Sequence, residues 1–174
     1  MNGRSGQTGT YFYWFYTSLS SGNLRGTLIE YTKRFPEINI VMLEGSRTNL
    51  ATALRSRTID VAIVTGDRPL VGSKSIPLWS ERIVAILPEA HKLAARDAVS
   101  WTDLGSETLV LGQRDPGPAI QELLSAKLTS PEDRPNIVSY DISGESVKSL
   151  ISAHFGISLT LEASLGANVN RCRP

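Results

Sequence analysis

The stretch from residue 11 to residue 66 constrains this chain most, because apolar runs of strand length alternate there with amphipathic runs of helix length. Tyr11-Phe12-Tyr13-Trp14-Phe15-Tyr16 reads as a strand, followed by the hydroxyl-rich turn Thr17-Ser18-Leu19-Ser20-Ser21-Gly22. Residues 23–35 read as a helix, 38–43 as a strand, 47–55 as a helix and 59–64 as a strand. Strands that alternate with helices imply a parallel sheet with right-handed crossovers. Open sheets of that kind bind ligands at the carboxyl ends of their strands. Here the first strand ends in a turn that carries hydroxyls and opens a helix, so a small-molecule site is expected at that turn.

Local signals place the element boundaries. Ser20 or Ser21 can cap the first helix and Pro36 stops it, while Leu24, Leu28, Tyr31 and Phe35 give it one apolar face. Ser46 can cap the second helix, in which Leu50 and Leu54 point the same way. The β-branched run 59–64 is expected to be a strand covered on both faces. Residues 66–75 hold Gly66, Asp67, Pro69 and Gly72 and read as a loop. Residues 76–79 and 82–87 are extended, and the chain crosses there into a second subdomain. A short helix is expected over 90–95, a capped turn at Ser100-Trp101-Thr102-Asp103 and a strand over 108–111. Asp115-Pro116 signals a helix start with an acidic cap, and Ile120, Leu123, Leu124 and Leu128 form the buried stripe of that helix. Residues 137–142 form a strand, Ser143 opens a helix with Val147, Leu150 and Ile151 inward, Gly156 ends it, and 157–161 is a further strand.

Bulk properties narrow the class. The chain has 174 residues, 41% hydrophobic and 20% charged, with a formal net charge of +1. That balance is ordinary for a globular protein and gives no electrostatic footprint for nucleic acid. No apolar run approaches the roughly 20 residues of a membrane span, and the small, polar first nine residues lack the apolar core of a secretory signal. The single Cys172 cannot form an internal disulfide, which fits a reducing cytoplasm. His91 follows Pro88 in a loop and is expected to be exposed, and His154 falls at a helix end. Neither has metal-ligand spacing to a Cys, Asp or His, so no metal and no cofactor are assigned. The chain has no Gly-x-Ser-x-Gly elbow, phosphate loop or His-Glu-x-x-His motif, and no catalytic residue is assigned.

Taken in order, these phrases resemble the effector-binding domain of LysR-type transcriptional regulators. The likeness is carried by residues 15–22, by Tyr31-Thr32-Lys33-Arg34-Phe35-Pro36 and by Thr58-Ile59-Asp60-Val61-Ala62-Ile63. It continues through residues 78–83 and 87–93 and through the segment from Glu145 to Leu159. The resemblance implies an α/β fold of two Rossmann-like subdomains joined by a hinge, as in type II periplasmic-binding proteins. Residues 1–10 would be a leader, 11–79 the first subdomain, 80–162 the second, and 163–174 a truncated hinge return. It implies a small effector, a carboxylate or aromatic acid, bound by Thr17, Ser18, Ser20, Arg47, Thr65 and Gly66 on one wall and by Arg114, Asp115 and Thr160 on the other. It also implies a homodimer or higher homo-oligomer, with residues 23–35 and 38–43 of one chain against the second subdomain of another. DNA contact would require an N-terminal helix-turn-helix domain that this chain lacks, and a final strand and helix of the family pattern are expected to be missing as well.

Several residues keep two readings. The hydroxyls at 17–21 serve as helix caps alone, or as caps that also touch ligand. Arg47, where many family members carry threonine, is either a solvated surface arginine or a fork for a carboxylate. At the level of the whole chain, the rivals to the regulator are a transporter's solute-binding protein, an enzyme on the same fold, and a shortened remnant with no function. If Ser18 donates to an effector, Ser18→Ala should weaken binding by about 1 kcal/mol, the scale of one lost hydrogen bond. Unchanged affinity in titration calorimetry would remove Ser18 from the site.

Overall fold

The computed structural model of the chain describes residues 9–15, 23–66 and 69–165. The chain divides into two compact units, Met1–Trp79 and Ser80–Pro174.

Unit 1 contains β1 (Gly9–Phe15), α1 (Asn23–Arg34), β2 (Ile38–Glu44), α2 (Arg47–Arg55) and β3 (Val61–Ile63). Its strands are parallel in the order β2-β1-β3, with Phe15 opposite both Glu44 and Ile63. Ser46 caps α2 by accepting from the Asn49 N–H at 3.3 Å. The same helix stops at Ser56 through a left-handed residue, Arg57, at φ 58°. The Arg57 N–H donates to the Leu54 carbonyl at 3.1 Å and the Thr58 N–H to the Ala53 carbonyl at 2.9 Å, the paired bonds of a Schellman ending. This ending turns Ile59 inward, where it packs with Leu50, Ala53 and Leu70.

Two expectations for this unit need correction. The strand read over 59–64 is only three residues long, and Val61 is 39% exposed rather than covered on both faces. Ile59 is spent on the helix ending, and β3 has a single ladder partner, β1, among the described residues. The apolar stripe of α1 exists, but only Leu24 is buried, while Ile29 and Phe35 stand 43% and 47% exposed. Phe35 instead stacks on Tyr31, with ring centres 4.9 Å apart.

Unit 2 contains β4 (Ile83–Ile86), β5 (Thr108–Gly112), α3 (Gly117–Lys127), β6 (Asn136–Tyr140), α4 (Gly144–Ser152) and β7 (Ser158–Leu161). Residues 76–79, read as extended, belong to no strand. Strand β5 pairs with β6 in parallel and β7 with β4 antiparallel. A parallel bridge between Leu109 and Ile157 joins the two pairs, with the Val110 N–H on the Ile157 carbonyl at 2.8 Å and the Ile157 N–H on the Thr108 carbonyl at 2.9 Å. The order is therefore β4-β7-β5-β6. Alternation along β5 feeds two cores. Leu109 and Leu111 pack with Ile120, Leu124 and Leu159, whereas Val110 packs with Val84, Val147, Ile151 and Leu165. Ser143 caps α4 as expected, accepting from the Ser146 N–H at 3.2 Å.

Both helix boundaries of this unit that were read from glycine and proline shift. Helix α3 begins at Gly117, its cap position falls to Pro116, and no side chain caps it, so Asp115 is not the acidic cap. Gly117 lies directly on the Gly112 carbonyl, and a Cβ there would overlap that oxygen. Helix α4 ends through His154 in the left-handed region, φ 64°, before Gly156 is reached. The His154 N–H donates to the Ile151 carbonyl at 2.9 Å and the Phe155 N–H to the Leu150 carbonyl at 3.1 Å, a second Schellman ending.

His91 is not exposed. Only 17% of its side chain reaches solvent, and its Nδ1 accepts from the Leu93 N–H at 3.2 Å, capping a short 3-10 turn, Lys92–Ala95. The neutral ring must then carry its proton on Nε2, which faces Glu107 Oε2 at 3.3 Å. Lys92 Nζ reaches the other Glu107 oxygen at 2.8 Å. Burial pushes the Glu107 carboxyl up, but the Lys92 and His91 contacts outweigh it and hold the group below the ordinary glutamate value. Asp103 is held low chiefly by the Ser100 N–H at 2.9 Å, with the Ser100 hydroxyl and Arg96 adding to it.

Two outcomes follow from this packing. Gly117→Ala should cost about 3 kcal/mol or more in urea unfolding, because the overlap is with backbone. Gly26→Ala, in α1 with nothing within 4 Å of the added carbon, should instead stabilise by about 0.5–1 kcal/mol. The Glu107 and Asp103 carboxyls have lower pKa values folded than unfolded, so their contribution is present above the ordinary carboxylate range and is lost as pH falls through it. The melting temperature should therefore drop as pH is lowered below about 4.5. Glu107→Gln should lower stability at pH 7 by about 1 kcal/mol and flatten that acid limb. An identical acid limb in the variant would show that Glu107 does not contribute to it.

Candidate functional site

The strand order of unit 1 locates its site. With β1 in the middle, the chain leaves β1 to one side for β2 and returns to the other side for β3. The carboxyl ends of β1 and β3 therefore flank a topological switch point, where open parallel sheets bind ligands. Thr65 and Gly66 follow β3 after Val64, and Gly66 has φ 96°, a left-handed conformation that a side chain would strain. Arg47 is the first residue of α2, which follows β2, so it rises at the same edge of the sheet. Its Nη1 donates to the Thr65 carbonyl at 2.9 Å in a part-buried bond across 18 residues of sequence. Arg47, Thr65 and Gly66 are thus brought together. Thr17, Ser18 and Ser20, expected at the end of β1, lie outside the described residues.

In unit 2 the carboxyl ends of β5, β6 and β7 share one edge. Arg114 and Asp115 follow β5, and the Arg114 Nε donates to Asp141 Oδ1, just past β6, at 3.3 Å. Both partners of that ion pair are mostly solvent-exposed, so it contributes little to stability. Asp115 is half-buried beside them. Thr160 lies within β7 opposite Val84 and is only 8% exposed, so it belongs to the sheet rather than to the loops beyond it. Arg82, which precedes β4, pairs with Glu162 after β7 at 2.8 Å, and the Glu162 N–H donates to the Arg82 carbonyl at 2.8 Å.

Asp141, Arg82 and Glu162 were not singled out from sequence. Their only signal there was position at strand ends, and each comes to its edge through a pairing partner far away in the chain. Among the described residues no group of three or more His, Cys, Asp or Glu could hold a metal ion. No helix among them is long and apolar enough to cross a membrane.

Comparison with known proteins agrees with this architecture. Residues 15–173 match the family model described as LysR substrate binding domain. The transcriptional dual regulator GltC of Bacillus subtilis is 26% identical over 167 residues, covering 94% of this chain and 54% of GltC. The chain spans about half the length of the curated relatives it matches, 54%, 44% and 44% for three of them. Among solved structures, the BenM effector binding domain with its effector benzoate superposes with a TM-score of 0.79 at 22% identity, covering 95% of this chain and 77% of that one. The effector binding domain of QuiR in complex with shikimate gives a TM-score of 0.76 at 21% identity, with 94% and 78% covered. These likenesses show the fold, the mixed α/β architecture of type II periplasmic-binding-protein-like effector domains. A family match over residues 15–173 of a chain of 174 places this protein in the LysR substrate binding domain family.

Proposed function

We propose that this chain is the ligand-sensing part of a longer LysR-type transcriptional regulator and performs no chemistry on what it binds. The observation that carries the reading is the β2-β1-β3 order, which puts Arg47, Thr65 and Gly66 at a topological switch point. The proposed contacts are Thr17, Ser18, Ser20, Arg47, Thr65 and Gly66 from unit 1, and Arg114, Asp115 and Thr160 from unit 2. The proposed ligand is a small organic anion, an aliphatic or aromatic carboxylate, because a guanidinium such as that of Arg47 recognises carboxylates. Benzoate and shikimate, the ligands named for two structural neighbours, are both carboxylates. The effector would act by binding one closure state of the domain more tightly than another, since differential affinity is the only source of a ligand-driven switch. DNA contact would fall to a part of the regulator beyond this chain, and the working compartment would be the cytoplasm. A second copy of the chain is the proposed partner. The exposure of Ile29 on α1, of Phe35 just after it and of Met42 on β2, 43%, 47% and 48%, supports an interface on those elements.

The test is thermal unfolding with benzoate, shikimate and a series of aliphatic dicarboxylates, each beside its neutral amide. A carboxylate at a hundred times its dissociation constant should stabilise the chain by about 2.7 kcal/mol, roughly 5–10 °C for a domain of this size. Saturable shifts with the acids and none with the amides are expected. Equal shifts with acid and amide would overturn the anion class. Conversion of a bound compound, seen by mass spectrometry, would overturn the non-catalytic reading.

A further inference from the structure

We infer that Arg47 is a positioning residue, which latches the turn after β3 to the start of α2 so that the floor of the switch-point site is formed before any ligand arrives. Three observations carry this. First, the two ends of the latch differ in how firmly they are held. Helix α2 is fixed by its Ser46 cap, by its Schellman ending, and by Leu50 and Ala53 in the core. Strand β3 is three residues long, half-exposed, and leads through Val64 into Thr65 and Gly66. Second, the bond from Nη1 to the Thr65 carbonyl is 2.9 Å long and part-buried, and it joins these ends across 18 residues. Third, the arginine stands at the first position of α2, where the helix dipole disfavours a cation. Its contact with Thr65 reaches from the helix start to the turn after β3.

The physical consequence concerns preorganisation. A turn already held in one conformation loses less conformational entropy when a ligand docks on it. Gly66 at φ 96° supplies the backbone freedom the turn needs, and the guanidinium removes freedom at the adjoining carbonyl. The bearing of the latch on ligand capture rests on the function proposed above. The latch itself is read without ligand, so its failure would leave that function standing.

The experiment is backbone nitrogen-15 relaxation on the whole chain, comparing the parent with Arg47→Met and Arg47→Lys. Methionine keeps an apolar stem and removes every donor. Lysine keeps the charge and a single, less directed donor. In the parent the order parameters of Thr65 and Gly66 should be near the rigid value of about 0.85. In Arg47→Met they should fall below about 0.6 while those of α2 and of residues 80–165 stay unchanged, and Arg47→Lys should restore part of the difference. Parent-like values at Thr65 and Gly66 in Arg47→Met would overturn the inference, and so would a loss spread evenly over unit 1, which marks an ordinary stability contact. If Arg47→Met does not fold, Arg47→Lys decides: a loss confined to Thr65 and Gly66 supports the latch, and parent-like values reject it.

Discussion

Residues 80–165 depend on the burial of one strand from both sides. Strand β5 carries Leu109, Val110 and Leu111, each no more than 1% exposed. Because side chains alternate across a sheet, the two leucines face the α3 side and the valine faces the α4 side. β5 also has ladder partners on both edges, β6 through a full register and β7 through the Leu109–Ile157 bridge. A polar residue at any of these three positions would be buried with its polar group in a hydrocarbon environment. The loops that hold Arg114, Asp115 and Asp141 hang from the carboxyl ends of this strand and its neighbour, so their placement follows from that core.

Unit 1 uses local polar bonds beside its apolar packing. Its described cluster is built almost wholly from α2, Ile59 and Leu70, with partly buried Ala62 and Val64 against it. Two polar bonds help to fix loop positions there. The Arg47 to Thr65 bond is one of these, and the Ser46 cap is another.

Much of the element order was legible because its signals are local. Ser46 and Ser143 are caps in both sequence and structure, since the capping bond spans only three residues. Of the stripe Ile120, Leu123, Leu124 and Leu128, all but Leu123 are buried as their spacing indicates, and Leu123 is partly exposed. Where structure and sequence differ, the determinant lies outside the simple local rules of capping and exposure. Helix α3 begins one residue later than the Asp115-Pro116 signal places it, at Gly117, with Pro116 at the cap. His91 is enclosed by Glu107, sixteen residues away. The helix endings escaped notice because the left-handed residues are Arg57 and His154 rather than glycine. Within the site, Arg47 was visible as an unusual charge, but its contact with Thr65 was not.

The sequence by itself determined the alternation of strands and helices, most of the caps, the apolar stripes and the family resemblance, because each depends on residues within a few positions of one another. Only the tertiary structure decided the β2-β1-β3 and β4-β7-β5-β6 orders, the shortness of β3, and the pairings Arg47–Thr65, Arg114–Asp141 and Arg82–Glu162. Those pairings join groups 18, 27 and 80 residues apart. Spacing along a chain carries no information about contacts at that range, which arise only when the packed sheet brings strand ends to a common edge.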